Sequence, residues 1–279
     1  MTLKPNSIVE ALATVLREPA VLHEPTFEGN EWKYVKECLD TGWVSSAGKY
    51  VDQFEGMLSD ITEIGYAIAT VTGTAALHAA LKLAEVKANN EVIVPTLTFV
   101  GTANAVDLLG AVPHFADSEE RTLGLDPIKL DEYLAGIADI TGDRCINTIT
   151  GRHISAVICV HIFGHPVDLD ALAQVSEKYR LTLIEDAAES LGSTYKSQHT
   201  GNHGRLSILS FNGNKTVTTG GGGAILTNDP KLAKAAKHLT TTAKEAHAWE
   251  YRHDQAGFNY RPPNINAALG WAQLEQLPE

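Results

Sequence analysis

Apolar residues recur along this chain with two periods, and the change from one to the other outlines the fold. Before residue 66 the spacing is helical. Residues 6–17 mix apolar and polar positions at roughly that period. Residues 30–41 repeat it, with Asn30 placed to cap the start, Trp32, Val35 and Leu39 on one stripe, and Gly42 closing the helix. Residues 50–61 form a third such segment, with Val51, Phe54 and Leu58 on one face. From residue 66 short apolar runs take over. Residues 66–71, 91–94, 111–116, 154–160, 181–184, 205–211 and 223–227 read as strands. Helical segments separate most of them, over 75–86, 102–109, 126–135, 168–179 and 230–238, and Asn264 begins a last helix. Pro127 suits a first helical position, and Pro113 marks 111–116 as an edge strand. Residues 136–153 are polar and read as an irregular excursion. The alternation predicts an α/β fold, a mostly parallel central sheet with helices on both faces.

Composition narrows the function classes. The 279 residues suit one large α/β unit, and 44% hydrophobic with 20% charged residues predicts a packed core. A net charge of −12 argues against nucleic acid as a partner. Cys38, Cys145 and Cys159 lack CxxC spacing, as expected of reduced thiols in a cytoplasmic protein. The N-terminus lacks a basic segment followed by an apolar run, and no stretch approaches 18 apolar residues, so no membrane partner is expected.

The chemistry gathers at strand ends. Residues 210–227 place Lys215 between small polar residues and a four-glycine run, where the backbone can pass close to a flat or bulky group. A lysine amine can form a Schiff base with a carbonyl. After the first strand, Thr72-Gly73-Thr74 opens a helix, whose N-terminal N–H groups and dipole suit a phosphate, with Thr74 adding a hydroxyl. Phe99 falls at a strand-to-helix turn, and Asp186 at the end of the 181–184 strand. Alone, each has a plain alternative: a core phenylalanine, a capping aspartate, a solvated lysine. Together and in this order they match what pyridoxal 5'-phosphate needs: phosphate donors, a flat partner for the ring, a carboxylate for the pyridine nitrogen and an amine for the aldehyde. His161 and His165 have no third ligand at metal spacing, so no metal site is expected and His161 is assigned to substrate or cofactor contact.

The stretches Thr72-Gly73-Thr74-Ala75-Ala76-Leu77, Glu185-Asp186-Ala187-Ala188-Glu189, Ser210-Phe211-Asn212-Gly213-Asn214-Lys215 and Gly257-Phe258-Asn259-Tyr260-Arg261 resemble the DegT/StrS-type aminotransferases. The resemblance implies an aspartate-aminotransferase-like large domain and a pyridoxal-phosphate-dependent transfer of an amino group, with glutamate as donor, to a keto sugar carried on a nucleotide. It makes Lys215 the cofactor lysine and proton shuttle, and pairs Asp186 with the pyridinium nitrogen. Gly73, Thr74, Ala75 and Ser210 fall around the phosphate, and Phe99 stacks on the ring. Asn259 reaches the phosphate in a neighbouring subunit, so a homodimer shares its sites, and Arg261 meets the sugar diphosphate. Lysine at 215 sets the chain apart from the family's dehydratase branch, which carries histidine there. Glu189 stands where many members carry glutamine toward the cofactor's O3′ oxygen, so it is either protonated through desolvation or turned elsewhere. Leu22-His23-Glu24-Pro25, Trp43-Val44-Ser45-Ser46, residues 140–153 and Leu239-Thr240-Thr241-Thr242-Ala243-Lys244 resemble the branch acting on UDP-linked 4-keto-6-deoxy-N-acetylhexosamines. The expected organisation is an N-terminal helical segment and substrate loop over 1–60, the cofactor domain over 61–256, and a partner-facing loop over 257–279 that opens a C-terminal region. Family members continue further, so the chain is expected to be a truncated form. A binding protein for a nucleotide sugar or a partner chain, without turnover, is the alternative reading.

Overall fold

The computed structural model describes residues 4–16, 23–247 and 249–277. Residue 17 of the first predicted helix, Leu22, and the last two residues of the 257–279 segment lie outside them. In chain order the elements are α1 (Pro5–Ala13), α2 (Glu31–Thr41), α3 (Lys49–Thr62), β1 (Tyr66–Thr70), α4 (Gly73–Leu83), β2 (Glu91–Pro95), α5 (Val100–Asp107) and β3 (Val112–Ala116). Then follow α6 (Pro127–Ile137), β4 (Ala138–Thr141), β5 (Arg144–Asn147), β6 (His153–Val160), a short 3₁₀ turn at Ile162–Gly164, α7 (Leu169–Lys178) and β7 (Thr182–Asp186). The remainder is β8 (Thr194–Tyr195), β9 (Gln198–His199), β10 (Leu206–Ser210), β11 (Gly223–Thr227), α8 (Pro230–Thr240) and α9 (Asn264–Leu274).

The main sheet runs β1-β11-β10-β7-β6-β2-β3, with β3 at one edge as its proline requires. Strands β10, β7, β6, β2 and β3 are mutually parallel. Strand β11 is antiparallel to both its neighbours, so β1 points the same way as the parallel set. The excursion expected at 136–153 is in fact ordered. It forms the hairpin β4–β5, turned at Gly142 (φ 63°) and joined to the start of β6. Its strands are only four residues each, and Arg144–Asn147 does not alternate apolar and polar positions, which hid them from a reading of apolar runs.

Successive strand residues face opposite sides of the sheet, and the core divides accordingly. Val92, Val94, Ala156, Ile158, Ile184, Ile208 and Ile225 pack under α4, α5 and α8. Ile93, Val157, Cys159 and Leu183 pack against α6 and α7, while Ala69, Leu209, Ala224 and Leu226 pack against α3 and α9. The three cysteines are buried and unpaired.

Helix α2 turns a different face inward from the one its apolar stripe predicts. Trp32 is 79% and Leu39 60% exposed, while Glu31, Tyr34 and Cys38 are buried. The inward face is fixed by polar partners as well as packing. The Tyr34 ring stacks on Trp271 at 4.6 Å, and its hydroxyl donates to Glu275 at 2.9 Å. Tyr34→Ala should therefore cost about 3 kcal/mol of stability, and Trp32→Ala under about 0.5 kcal/mol. Urea denaturation of the two variants measures this, and equal losses would reject the face assignment.

Candidate active site

Parity decides what meets at the carboxyl edge of the sheet. Asp186 shares the face of Ile184, and Ser210 that of Ile208, so both turn toward α4 and α5. Glu185 and His161 take the opposite parity. The edge holds a cavity of about 330 Å³ lined by Gly73, Thr74, Phe99, Asp186, Ser210 and Lys215, among others.

One wall is the start of α4. The hydroxyl of Thr72, not of Thr74, caps this helix by accepting the Ala75 N–H at 3.0 Å. Ala75 is thus buried with its N–H already taken, which removes it from the expected phosphate donors. The N–H groups of Gly73 and Thr74 have no acceptor among the described residues, as the first turn of a helix leaves them. The hydroxyls of Thr74 and Ser210 stand beside them. This cradle depends on glycine: a Cβ on Gly73 would fall 2.9 Å from Ser210 Cβ, and one on Gly223 2.5 Å from the Thr72 carbonyl. It is a seat for an anion.

Phe99 sits at the mouth, 72% exposed, at the cap position of α5. A Cβ on Gly101 would come within 2.7 Å of its ring, so that glycine lets the ring lie flat over the turn. Behind it, Asp186 is 7% exposed. Thr102 Oγ1 donates to its Oδ2 at 2.9 Å and the Ala188 N–H to its Oδ1 at 3.2 Å. Burial pushes this carboxyl above its ordinary value, and the Thr102 hydroxyl, the Ala188 N–H, Lys215 and His161 pull it back only in part.

Lys215 Nζ donates to Glu189 Oε1 at 2.9 Å, and Glu189 Oε2 accepts the Phe163 N–H at 2.9 Å. Burial alone would raise the Glu189 carboxyl, but the Lys215 ammonium and the Phe163 N–H outweigh it and hold it below its usual range. Glu189 is thus held between the lysine on one oxygen and a backbone N–H on the other.

Of the two expected substrate contacts, His161 lines the cavity and Arg261 does not. His161 is fully buried at the cavity's rear wall, with Nε2 3.1 Å from Glu185 Oε2 and Nδ1 accepting the Val167 N–H at 3.4 Å. Arg261 is 8% exposed, donating to the Ala69 carbonyl at 2.8 Å and to Glu55 Oε1 at 2.7 Å. Its guanidinium closes the open edge of β1 and is not directed at this cavity. Asn259 is exposed on the loop before α9, outside the cavity lining. The sequence reading missed Thr72, Thr102 and Glu185. Thr72 carried a signal, since a threonine three residues before a helical alanine is a cap pattern. Among the described residues no group of three or more metal-ligating side chains forms, and no helix is long and apolar enough to cross a membrane.

An α/β sheet with an anion cradle, a lysine and a buried carboxylate at its carboxyl edge defines a protein that binds a phosphorylated ligand where an amine can reach it. The chain belongs to the DegT/DnrJ/EryC1/StrS aminotransferase family, whose model matches residues 25–279. It is 40% identical over 258 residues to GDP-perosamine synthase of Escherichia coli O157:H7, covering 92% of this chain and 66% of that protein. Among solved structures it resembles PseC of Helicobacter pylori, an aminotransferase involved in the biosynthesis of pseudoaminic acid (TM-score 0.81, 26% identity, 92% of this chain, 66% of that one). It also resembles Spr1654 of Streptococcus pneumoniae in its PLP form (TM-score 0.81, 26% identity, 93% of this chain, 67% of that one). The chain spans about two thirds of the length of the curated relatives it matches.

The raised Asp186 carboxyl carries a sign. A group whose folded value lies above its unfolded one, about 3.9 for aspartate, contributes stability that is lost as pH climbs through the folded value. Asp186→Asn should therefore raise the Tm of the ligand-free chain at neutral pH, with the gain fading as the medium is acidified toward about pH 4. Thermal melts across that range measure it. A Tm lowered at neutral pH would mean that the carboxylate's partners fully compensate its burial.

Proposed function

We propose that this chain is a pyridoxal-phosphate-dependent aminotransferase that moves an amino group from an amino acid, with glutamate as donor, to the keto group of a nucleotide-linked sugar. The observation that carries the reading is the convergence of the Lys215 amine, the Asp186 carboxylate and the open N–H groups of Gly73 and Thr74 in one cavity. The donor set fits the cofactor: the cradle matches a phosphate, and the cavity is large enough for a pyridine ring. Pyridoxal phosphate, when bound, supplies an exchangeable carbonyl and an electron-accepting ring.

The chain's own residues divide the remaining work. Gly73 and Thr74 bind the phosphate through N–H groups, and Thr74 and Ser210 through hydroxyls. Phe99 covers one ring face at the mouth. Asp186, a carboxylate held by the Thr102 hydroxyl and the Ala188 N–H, would accept a hydrogen bond from the protonated ring nitrogen and so keep the proton there. Lys215 presents Nζ to the carbonyl and carries protons to and from the substrate carbon. Asn259, exposed on its loop, reaches toward a second subunit in the homodimer this reading includes.

The name of the E. coli relative favours a GDP-linked sugar, whereas the sequence resemblance points to a UDP-linked N-acetylhexosamine. The enzyme reading is tested first by adding pyridoxal phosphate to wild type and to Lys215→Ala and recording visible absorbance. Borohydride reduction should fix the cofactor's mass on the peptide containing Lys215 in wild type alone. Glutamate should bleach the band, after which GDP- and UDP-linked keto sugars are compared by product mass. A wild type that never acquires a lysine-linked cofactor would sink the reading and leave binding without turnover. Gly73→Ala, which pushes a methyl into Ser210, should weaken cofactor binding roughly ten-fold, about the worth of one hydrogen bond to a charged group. Equilibrium titration of the absorbance band checks this, and unchanged affinity would place the phosphate elsewhere.

A further inference from the structure

Thr102 lies in the first turn of α5 and is 1% exposed. Its hydroxyl has a single proton, and the 2.9 Å contact to Asp186 Oδ2 uses it, since an ionised carboxylate can only accept. The Thr102 oxygen is then left as an acceptor, and Thr98 Oγ1 lies 2.9 Å from it. The two hydroxyls and the carboxylate form a line running inward from the turn after β2.

We propose that Thr102 is a positioning residue for Asp186, with Thr98 as the second link: the line of hydroxyls keeps the carboxylate ionised and holds it toward the cavity. The inference rests on the reading of the site given above, in which Asp186 serves the ring nitrogen. Other groups facing Asp186 do not replace this contact. Lys215 is paired with Glu189, His161 is engaged by Glu185, and the Glu185 carboxylate lies on the opposite face of β7. Cys159 on β6 is fully buried, with a thiol that burial pushes up and so keeps neutral. Thr102 is thus the only side chain among the described residues that donates a hydrogen bond to Asp186. A hydrogen bond to the charged form favours that form, and losing one from a buried charge leaves it uncompensated.

The test uses Thr102→Val, which keeps the shape and removes the donor, Thr102→Ser, which restores it, and Thr98→Val, which breaks only the outer link. The first readout needs no cofactor: the stability difference between each variant and the same variant carrying Asp186→Asn, followed against pH. For Thr102→Val the Asp186-linked loss of stability should extend to higher pH and grow at neutral pH. Thr102→Ser should return to the wild-type curve, and Thr98→Val should shift the same way by less. The second readout is pyridoxal phosphate affinity, expected to fall roughly ten-fold in Thr102→Val and to recover in Thr102→Ser. Identical pH curves for wild type, Thr102→Val and Thr98→Val would overturn the proposal even if the cofactor binds. If Thr102→Val does not fold, Thr98→Val decides on the same terms. Failure of wild type to bind the cofactor would count against the aminotransferase reading, while the cofactor-free curves still decide on Thr102.

Discussion

The site turns on one expensive placement, a carboxylate at the end of β7 with almost no water around it. An ionised carboxylate out of water is unfavourable by several kcal/mol unless donors surround it. Asp186 receives a hydroxyl from α5 and an N–H from the turn after β7, with an ammonium held nearby on the loop after β10. Those donors come from different elements, so supplying them constrains how the elements dock. Helix α5 must start against β7, and the lysine loop must fold back over the sheet. The fold around the cavity is in this sense arranged about Asp186.

The second constraint is the reversal of β11 beside the strand that leads to the lysine. In an all-parallel sheet the chain leaving β10 at Lys215 would have to cross back to the far edge before pairing again. Because β11 runs antiparallel, the 211–222 loop returns directly into the sheet, and Gly223 is registered against both Thr70 and Ser210. That register brings the turn after β1, the anion cradle, next to the lysine loop. The glycines follow from it, since the Gly223 and Gly73 backbones approach Thr72 and Ser210 too closely for any side chain.

Most of this was legible in the sequence because it rests on local patterns. Strand runs, helix starts at Asp126 and Gly73, the edge role of Pro113 and the placement of Phe99, Asp186 and Lys215 at strand ends all follow from period and turn chemistry. What escaped depends on partners distant in sequence. The inward face of α2 is chosen by Trp271 and Glu275, more than 230 positions away. The β4–β5 hairpin has strands of only four residues each and is held by joining β6. Arg261 sits in a motif that suggests a diphosphate, yet the buried Glu55 carboxylate and the unpaired Ala69 carbonyl at the sheet edge recruit it. The Ala75 N–H is taken by the Thr72 hydroxyl, a contact within one turn that the resemblance does not carry.

Asp186 and Glu189 stand three residues apart around the same lysine, and their surroundings drive them in opposite directions. Asp186 lies deeper and has no ammonium in direct contact, so burial dominates and its proton affinity rises. Glu189 is half-buried and in contact with Lys215, so the ion pair dominates and its proton affinity falls. Such divergence separates a group fit to share a proton from one fit only to accept hydrogen bonds. The Phe163 N–H on its other oxygen fixes Glu189 in that second role.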